Sequence, residues 1–181
     1  MDLLACLDHL QWLRTGLRAG EALSSSQSKI CRSVKRCETI LDIRLTKVDS
    51  EWITAGDTQL LAAERHVHQH YRWSKGRPLR LDGNYSLLYE RDAFRQLGWT
   101  CGNLDKTCHE RLSHLLEQRV IDAWLIGGNV DQIDRSDFHA YEFHPGATVM
   151  IKPDFVAHPR IEALLEKLAL KLGALAEAVR A

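Results

Sequence analysis

The residues with the clearest chemical potential lie early in the chain. From Ser24 to Leu45 the sequence reads SSSQSKICRSVKRCETILDIRL. Ile30, Val34, Cys37 and Leu41 recur at i, i+4, i+7 and i+11, one apolar stripe of an α-helix. At about 100° per residue, Lys29, Arg32, Ser33 and Arg36 fall on the opposite side, with Lys35 at its flank. The charged groups of Lys29, Arg32 and Arg36 suit phosphates or base edges. Ser26, Gln27, Ser28 and Ser33 can hydrogen-bond to bases or backbone. A helix packed on one face and basic on the other is what a DNA major groove accepts. Most basic helix faces are merely solvated, so the elements around this one decide its use.

Two other groupings carry chemical potential. His66, His68 and His70 include an i, i+4 pair of imidazoles, but no acidic or cysteine ligand nearby in the sequence completes a tetrahedral metal set. They read as exposed or seam histidines, and no metal is expected. Cys101 and Cys108-His109 raise a nucleophile–base pair or a redox thiol. Adjacent helical residues point in different directions, so Cys108 and His109 would not meet. Cys31 and Cys37 read as packing residues. No G-x-S-x-G elbow, phosphate loop or HExxH is present; neither catalysis nor a cofactor is expected.

The elements that must position the basic face follow from the pattern. Residues 3–13 read as a first helix, with Leu3, Leu4, Leu7, Leu10 and Leu13 on its apolar side. Thr15 caps a short second helix, Gly16 to Leu23, whose Ala19, Gly20 and Ala22 permit close packing. Ser24 to Ser26 offer the N-cap of the third. Residues 46–54 read as a β-excursion around Asp49-Ser50, the wing of a winged helix-turn-helix. Asp57 then caps a long helix reaching Trp73, with Leu60, Leu61, Glu64, Val67, His68 and Tyr71 near a seam that would bury against a second copy.

SKGRP (74–78) is a turn-rich hinge. Beyond it Leu79–Leu81 reads as a strand, Tyr85–Leu97 as a helix and Trp99–Cys101 as a strand. A helix capped by Asn103 or Asp105 runs to about Gln118. Val120–Ile126 is an apolar run expected of a strand buried on both faces. Phe138–Phe143 and Thr148–Ile151 are further strands, and Arg160–Ala181 is an amphipathic helix. The expected fold class is mixed α/β. Residues 1–56 would form the winged helix-turn-helix, 57–73 the linker and dimerisation helix, and 79–181 a small α/β domain.

Composition bounds the partners. The 181 residues are 45% hydrophobic and 27% charged with zero formal net charge. A globular protein is implied, and any nucleic-acid binding must come from locally arranged charge. No apolar run approaches the length of a membrane span. The N-terminus carries Asp2 and Asp8 and no basic n-region, so no signal peptide is expected. Five irregularly spaced cysteines fit a reduced, cytoplasmic protein.

The order of these residues resembles the LysR-type transcriptional regulators of bacteria. Ser26-Gln27, then Ile30, Arg32, Val34, Lys35-Arg36, Glu38, Leu41 and Ile43-Arg44-Leu45 are similar to that family's recognition-helix signature. Ile53-Thr54-Ala55-Gly56 resembles a shortened form of its wing end. Leu79-Arg80-Leu81, Leu115-Leu116 through Gly127-Gly128, and Pro153-Asp154 with His158-Pro159 resemble stretches of its effector domain. The resemblance covers roughly residues 3–159. It implies a sequence-specific regulator that binds double-stranded DNA as a homodimer through helix 57–73, or as a higher oligomer such as a tetramer, with no membrane association. It also implies a small-molecule effector near Asn84-Tyr85, Thr100, Gly102-Asn103 and Gly127-Gly128. Three departures stand out. Ser28 replaces the usual Pro. The wing tip Asp49-Ser50-Glu51 is acidic. Only one helix follows His158-Pro159, where the family has a second lobe, so a reduced, half-effector domain is expected. The acidic wing keeps a rival reading open, a family-like interaction protein with weak or no DNA binding.

Overall fold

A computed structural model of the chain describes residues 2–83, 91–102, 109–127 and 136–180, with side chains to residue 170, that of residue 91 excepted. The described residues hold seven α-helices and two sheets, a mixed α/β fold. They divide into two compact units, one of residues 1–70 with 118–120, the other of residues 71–117 with 121–181. No described helix is long and apolar enough to cross a membrane.

The first unit begins with three helices, each set by a side-chain cap that satisfies otherwise orphaned N–H groups. Helix α1 (Leu3–Leu13) is capped by Asp2, whose Oδ1 accepts from the N–H groups of Leu4 and Ala5. Thr15 caps α2 (Gly16–Ala22) by accepting from the Arg18 N–H. Ser26 caps α3 (Gln27–Leu41) by accepting from the Lys29 N–H at 3.3 Å. The α3 helix stops four residues before the end of its sequence pattern. Asp42 takes a left-handed conformation, φ 51°, and the chain leaves directly into a strand.

That strand, β1 (Ile43–Val48), pairs antiparallel with β2 (Glu51–Gly56). Asp49 and Ser50 both have positive φ, 47° and 70°, the primed turn whose twist matches a two-residue hairpin. The hairpin is thus longer than the expected excursion and includes Ile43 to Leu45. Its core side joins Leu4, Cys6, Leu7, Leu10, Ala19, Ile30, Val34, Cys37, Leu41 and Leu61 in one apolar cluster.

Helix α4 (Gln59–Ser74) starts where the Asp57 carboxylate accepts from the Gln59 N–H. Its amphipathicity is inverted. Leu61, Arg65 and Gln69 form its buried stripe, and two of these three are polar. Arg65 pairs with Asp8 at 2.9 Å, hydrogen-bonds to Gln11, and donates to Gln118 at 3.2 Å. Gln69 accepts from Arg119 at 2.6 Å. Leu60, Val67 and Tyr71 are instead 52%, 62% and 48% exposed. The sequence reading placed Leu60 and Leu61 in one seam; consecutive helical residues lie about 100° apart, and the structure buries only Leu61.

The second unit is a five-stranded mixed sheet of order β4-β3-β5-β7-β6. Strands β3 (Leu79–Gly83), β4 (Trp99–Cys101) and β5 (Ala123–Gly127) run parallel, and β6 (His139–His144) and β7 (Ala147–Ile151) close it antiparallel. Helices α5 (Arg91–Gln96) and α6 (His109–Glu117) stand between the parallel strands in sequence, and α7 (Pro159–Arg180) ends the chain. The expected strand over 120–126 begins only at Ala123. A nearly continuous apolar run has no period to mark where its strand starts, and Asp122 within it, just ahead of the strand, is fully buried.

One sheet face, with Leu79, Leu81, Trp99, Ala123, Leu125, Val149 and Ile151, packs on Trp73, Phe94, Phe155, Ile161, Leu164 and Leu168. Trp73 stacks on Phe155 at 4.6 Å and meets Trp99 edge-on at 5.7 Å. Strand alternation sends buried Arg80, Asp82, Trp124 and Thr148 to the other face. Two charged side chains hold this unit's connections. Arg72 pairs in bidentate fashion with Asp122, 2.9 and 3.0 Å, and Asp122 also accepts from the Arg80 N–H. Arg160 donates to the carbonyls of Arg72, Arg77 and Gly98. Removing one member of a buried pair strands the other. Asp122→Ala is therefore expected to cost about 3–5 kcal/mol, read as a lower urea midpoint, while Asp92→Ala, in an exposed pair, leaves the midpoint within error.

Candidate nucleic-acid interface

The α3 helix is fixed from beneath and from its N-terminal side. Ile30, Val34, Cys37 and Leu41 are buried in the first unit's core. Helix α2 approaches so closely that its glycines leave no room for a side chain. A Cβ at Gly20 would lie 2.5 Å from the Ser25 carbonyl oxygen, and one at Gly16 2.9 Å from Gln27 Cγ. The α2–α3 turn is thereby held by backbone contact.

With that side packed, Gln27, Ser28, Lys29, Arg32, Lys35 and Arg36 are all exposed, and together they form one basic surface. Ser26 is exposed too, but its Oγ already serves as the cap acceptor. The Arg32 Nε–H reaches back to the Ser28 carbonyl at 3.4 Å, which lays its guanidinium along the helix. Ser33 differs from the sequence expectation. It is buried, and its hydroxyl hydrogen-bonds to the Cys6 thiol. Ser33 stands three residues from Ile30 and four from Cys37, about 60° from the centre of the apolar stripe, and so belongs to the packed side. Cys31 departs the other way. It is exposed, one position and about 100° from Ile30.

The buried thiols are chemically quiet. Burial pushes Cys37 up to about 11, and burial likewise raises Cys6, partly offset by the Ser33 hydrogen bond. Neither provides a nucleophilic thiolate near neutral pH.

The hairpin beside α3 is held by polar contacts that apolar periodicity does not register. The Leu45 N–H donates to Glu38 Oε1 at 2.6 Å. Trp52 Nε1 donates to the Arg14 carbonyl at 2.8 Å, and Gln11 Nε2 donates to the Trp52 carbonyl at 3.0 Å. Arg14 pairs with Glu51 at 2.6 Å, which neutralises one of the two acidic groups at the hairpin tip. Lys47 lies over the Trp52 ring at 5.6 Å. A tryptophan between a turn and a polar strand was the available sequence signal, since buried indole N–H groups seek an acceptor.

The expected effector residues fall in the second unit. Asn84, Tyr85, Asn103 and Gly128 lie outside the described residues. Thr100 is half-buried on β4, opposite Arg80, and Gly127 ends β5 opposite Ala147. Strand β3 separates the two strands that carry them. The Trp124 indole N–H and His109 Nδ1 find no hydrogen-bond partner among the described residues, and their rings are 5.7 Å apart.

No protein-family profile and no curated protein matches the chain. Among solved structures it is similar to a cysteine-to-aspartate variant of full-length OxyR from Pseudomonas aeruginosa. That match has 16% identity and a TM-score of 0.46, and covers 77% of this chain and 53% of the other. It is similar to ArgP from Mycobacterium tuberculosis at 13% identity and TM-score 0.37, covering 77% and 51%. CrgA, a LysR-type transcriptional regulator from Neisseria meningitidis, matches at 15% identity and TM-score 0.30, covering 80% and 53%. The chain spans about half the length of each of these proteins.

The close α2–α3 approach gives a direct test. Gly20→Val must push the Ser25 backbone away, at a cost of about 1–3 kcal/mol for overpacking, seen as a lower urea midpoint with the basic side chains untouched. Thr39→Val, on the open side of α3, is expected to leave the midpoint within about 0.5 kcal/mol.

Proposed function

We propose that this chain is a LysR-like, sequence-specific DNA-binding transcriptional regulator that acts as a dimer or higher oligomer. The observation that carries the reading is the exposed basic face of α3, presented by a helix whose other side is locked into a core. In this reading α1 to α3 with the β1–β2 hairpin work as a winged helix-turn-helix over residues 1–56. Helix α3 enters a major groove with Gln27, Ser28, Lys29, Arg32, Lys35 and Arg36 toward the DNA, and Ser26 orders its first turn. Ser33 acts only through packing. The rival reading, a family-like interaction protein with weak or no DNA binding, drew on the acidic hairpin tip and the zero formal net charge. The Arg14–Glu51 pair removes much of the first objection.

Phosphate contacts release counterions, so affinity must fall with salt. Fluorescence anisotropy on genomic duplex fragments should show binding that weakens as salt rises. Arg32→Ala and Arg36→Ala should each weaken it, and each lost phosphate contact should flatten the log K against log salt slope by about 0.9. An unchanged affinity in the double variant would remove α3 as the reader.

The inverted helix α4 supports assembly over residues 57–73. Its inward side is occupied by Arg65 and Gln69, and Leu60, Val67 and Tyr71 remain exposed along the outer side at i, i+7 and i+11. A charge at the centre of such a stripe opposes pairing. Val67→Asp is expected to convert the dimer to monomer by light scattering with unchanged far-UV circular dichroism. A wild-type chain that is monomeric at high concentration would sink the dimer.

A further inference from the structure

The exposed side of α4 carries a second feature that DNA binding does not use. His66 and His70 are four residues apart and both exposed. Their ring centroids are 4.6 Å apart with the planes tilted by 49°. One ring nitrogen from each lies within 4.8 Å of the other. His68 is not part of this pair. It points elsewhere, to Asp2 at 3.2 Å and Glu64 at 3.7 Å.

We propose that His66 and His70 form a two-imidazole chelate for a divalent transition ion of the zinc, copper or nickel class. Imidazole nitrogen is a ligand those ions favour, whereas magnesium and calcium demand oxygen. Two histidines at i and i+4 share one helix face, and a bond length of about 2.1 Å to each nitrogen is reached by rotating the two side chains toward each other. The helix fixes both Cα positions in advance, so little ordering remains for the side chains on binding. Water fills the open coordination positions in a single copy. The pair flanks the Leu60–Val67 stripe, so bound metal would place positive charge at the edge of that stripe.

Binding is tested on the untagged full chain with zinc chloride, and separately copper(II) chloride, as the only ligand. Isothermal titration should give saturable uptake, and the thermal midpoint should rise with zinc concentration by mass action but stay fixed in magnesium chloride. Binding should weaken at acid pH, because only neutral imidazole ligates. His66→Gln and His70→Gln should each abolish the midpoint shift, and His68→Gln should leave it intact. All three should keep the wild-type circular dichroism. A saturation of one ion per chain or of one per two chains supports the chelate, the latter with a second copy supplying the remaining ligands. Zinc uptake that survives in the His66→Gln/His70→Gln double variant, or no uptake by the wild type, overturns it. The result is independent of the DNA-binding reading, because no arm contains DNA.

Discussion

The first unit depends on one buried charge pair. Asp8 on α1 and Arg65 on α4 are 1% and 3% exposed. A pair taken out of water is tolerable only when its remaining hydrogen-bonding capacity is met. Here Gln11 accepts from Arg65 and passes the connection on through its amide to the Trp52 carbonyl of β2. The hairpin's position beside α3 is therefore tied to a charge pair on two other helices. The same arrangement explains why α4 turns polar groups inward and leaves leucine, valine and tyrosine outside. With its inner side shared by Leu61, Arg65 and Gln69, the helix leaves Leu60, Val67 and Tyr71 on its outer side.

Much of the three-helix beginning was legible in the sequence. Thr15 and Ser26 are cap residues standing directly before the second and third helices, and local signals of that kind act within a single turn; the cap of α1 by Asp2 was not read. The basic character of α3 was legible for the same reason. Its end was not, because a left-handed Asp42 is a property of one backbone position and the apolar residues continue into the strand. Ser33 was misplaced because a small hydroxyl on the border of an apolar stripe is compatible with either side. Its burial depends on Cys6, a residue 27 positions away.

The harder failures involve polar residues inside. Apolar periodicity points to Leu60, which has Val67 and Tyr71 at i+7 and i+11, whereas Leu61 is followed at i+4 and i+8 by Arg65 and Gln69. What separates them is Arg65, and arginine in a helix reads as solvent-facing by default. In the second unit the same blindness hid Asp122, which lay within an apolar run and proved to be the acceptor for Arg72 and for the Arg80 backbone. Of the effector positions only Thr100, Gly102 and Gly127 fall among the described residues; Thr100 lies on β4 with Gly102 just after it, Gly127 lies on β5, and β3 runs between the two strands. A binding pocket arises from distant segments meeting in space, and single-sequence patterns carry little of that information.

The short segment Gln118–Val120 has an implication for biosynthesis. It belongs to the first unit, although almost fifty residues separate it from His70. Gln118 takes one Arg65 N–H, and Arg119 donates to the buried Gln69. During synthesis, α1 to α4 leave the ribosome before these partners exist, so the Arg65–Gln118 and Gln69–Arg119 hydrogen bonds form only after Arg119 has emerged. The N-terminal unit is not a fragment that matures first and then acquires a tail. Its last hydrogen bonds are written into the middle of the second half, and a chain interrupted near the hinge would carry the basic helix on an unfinished support.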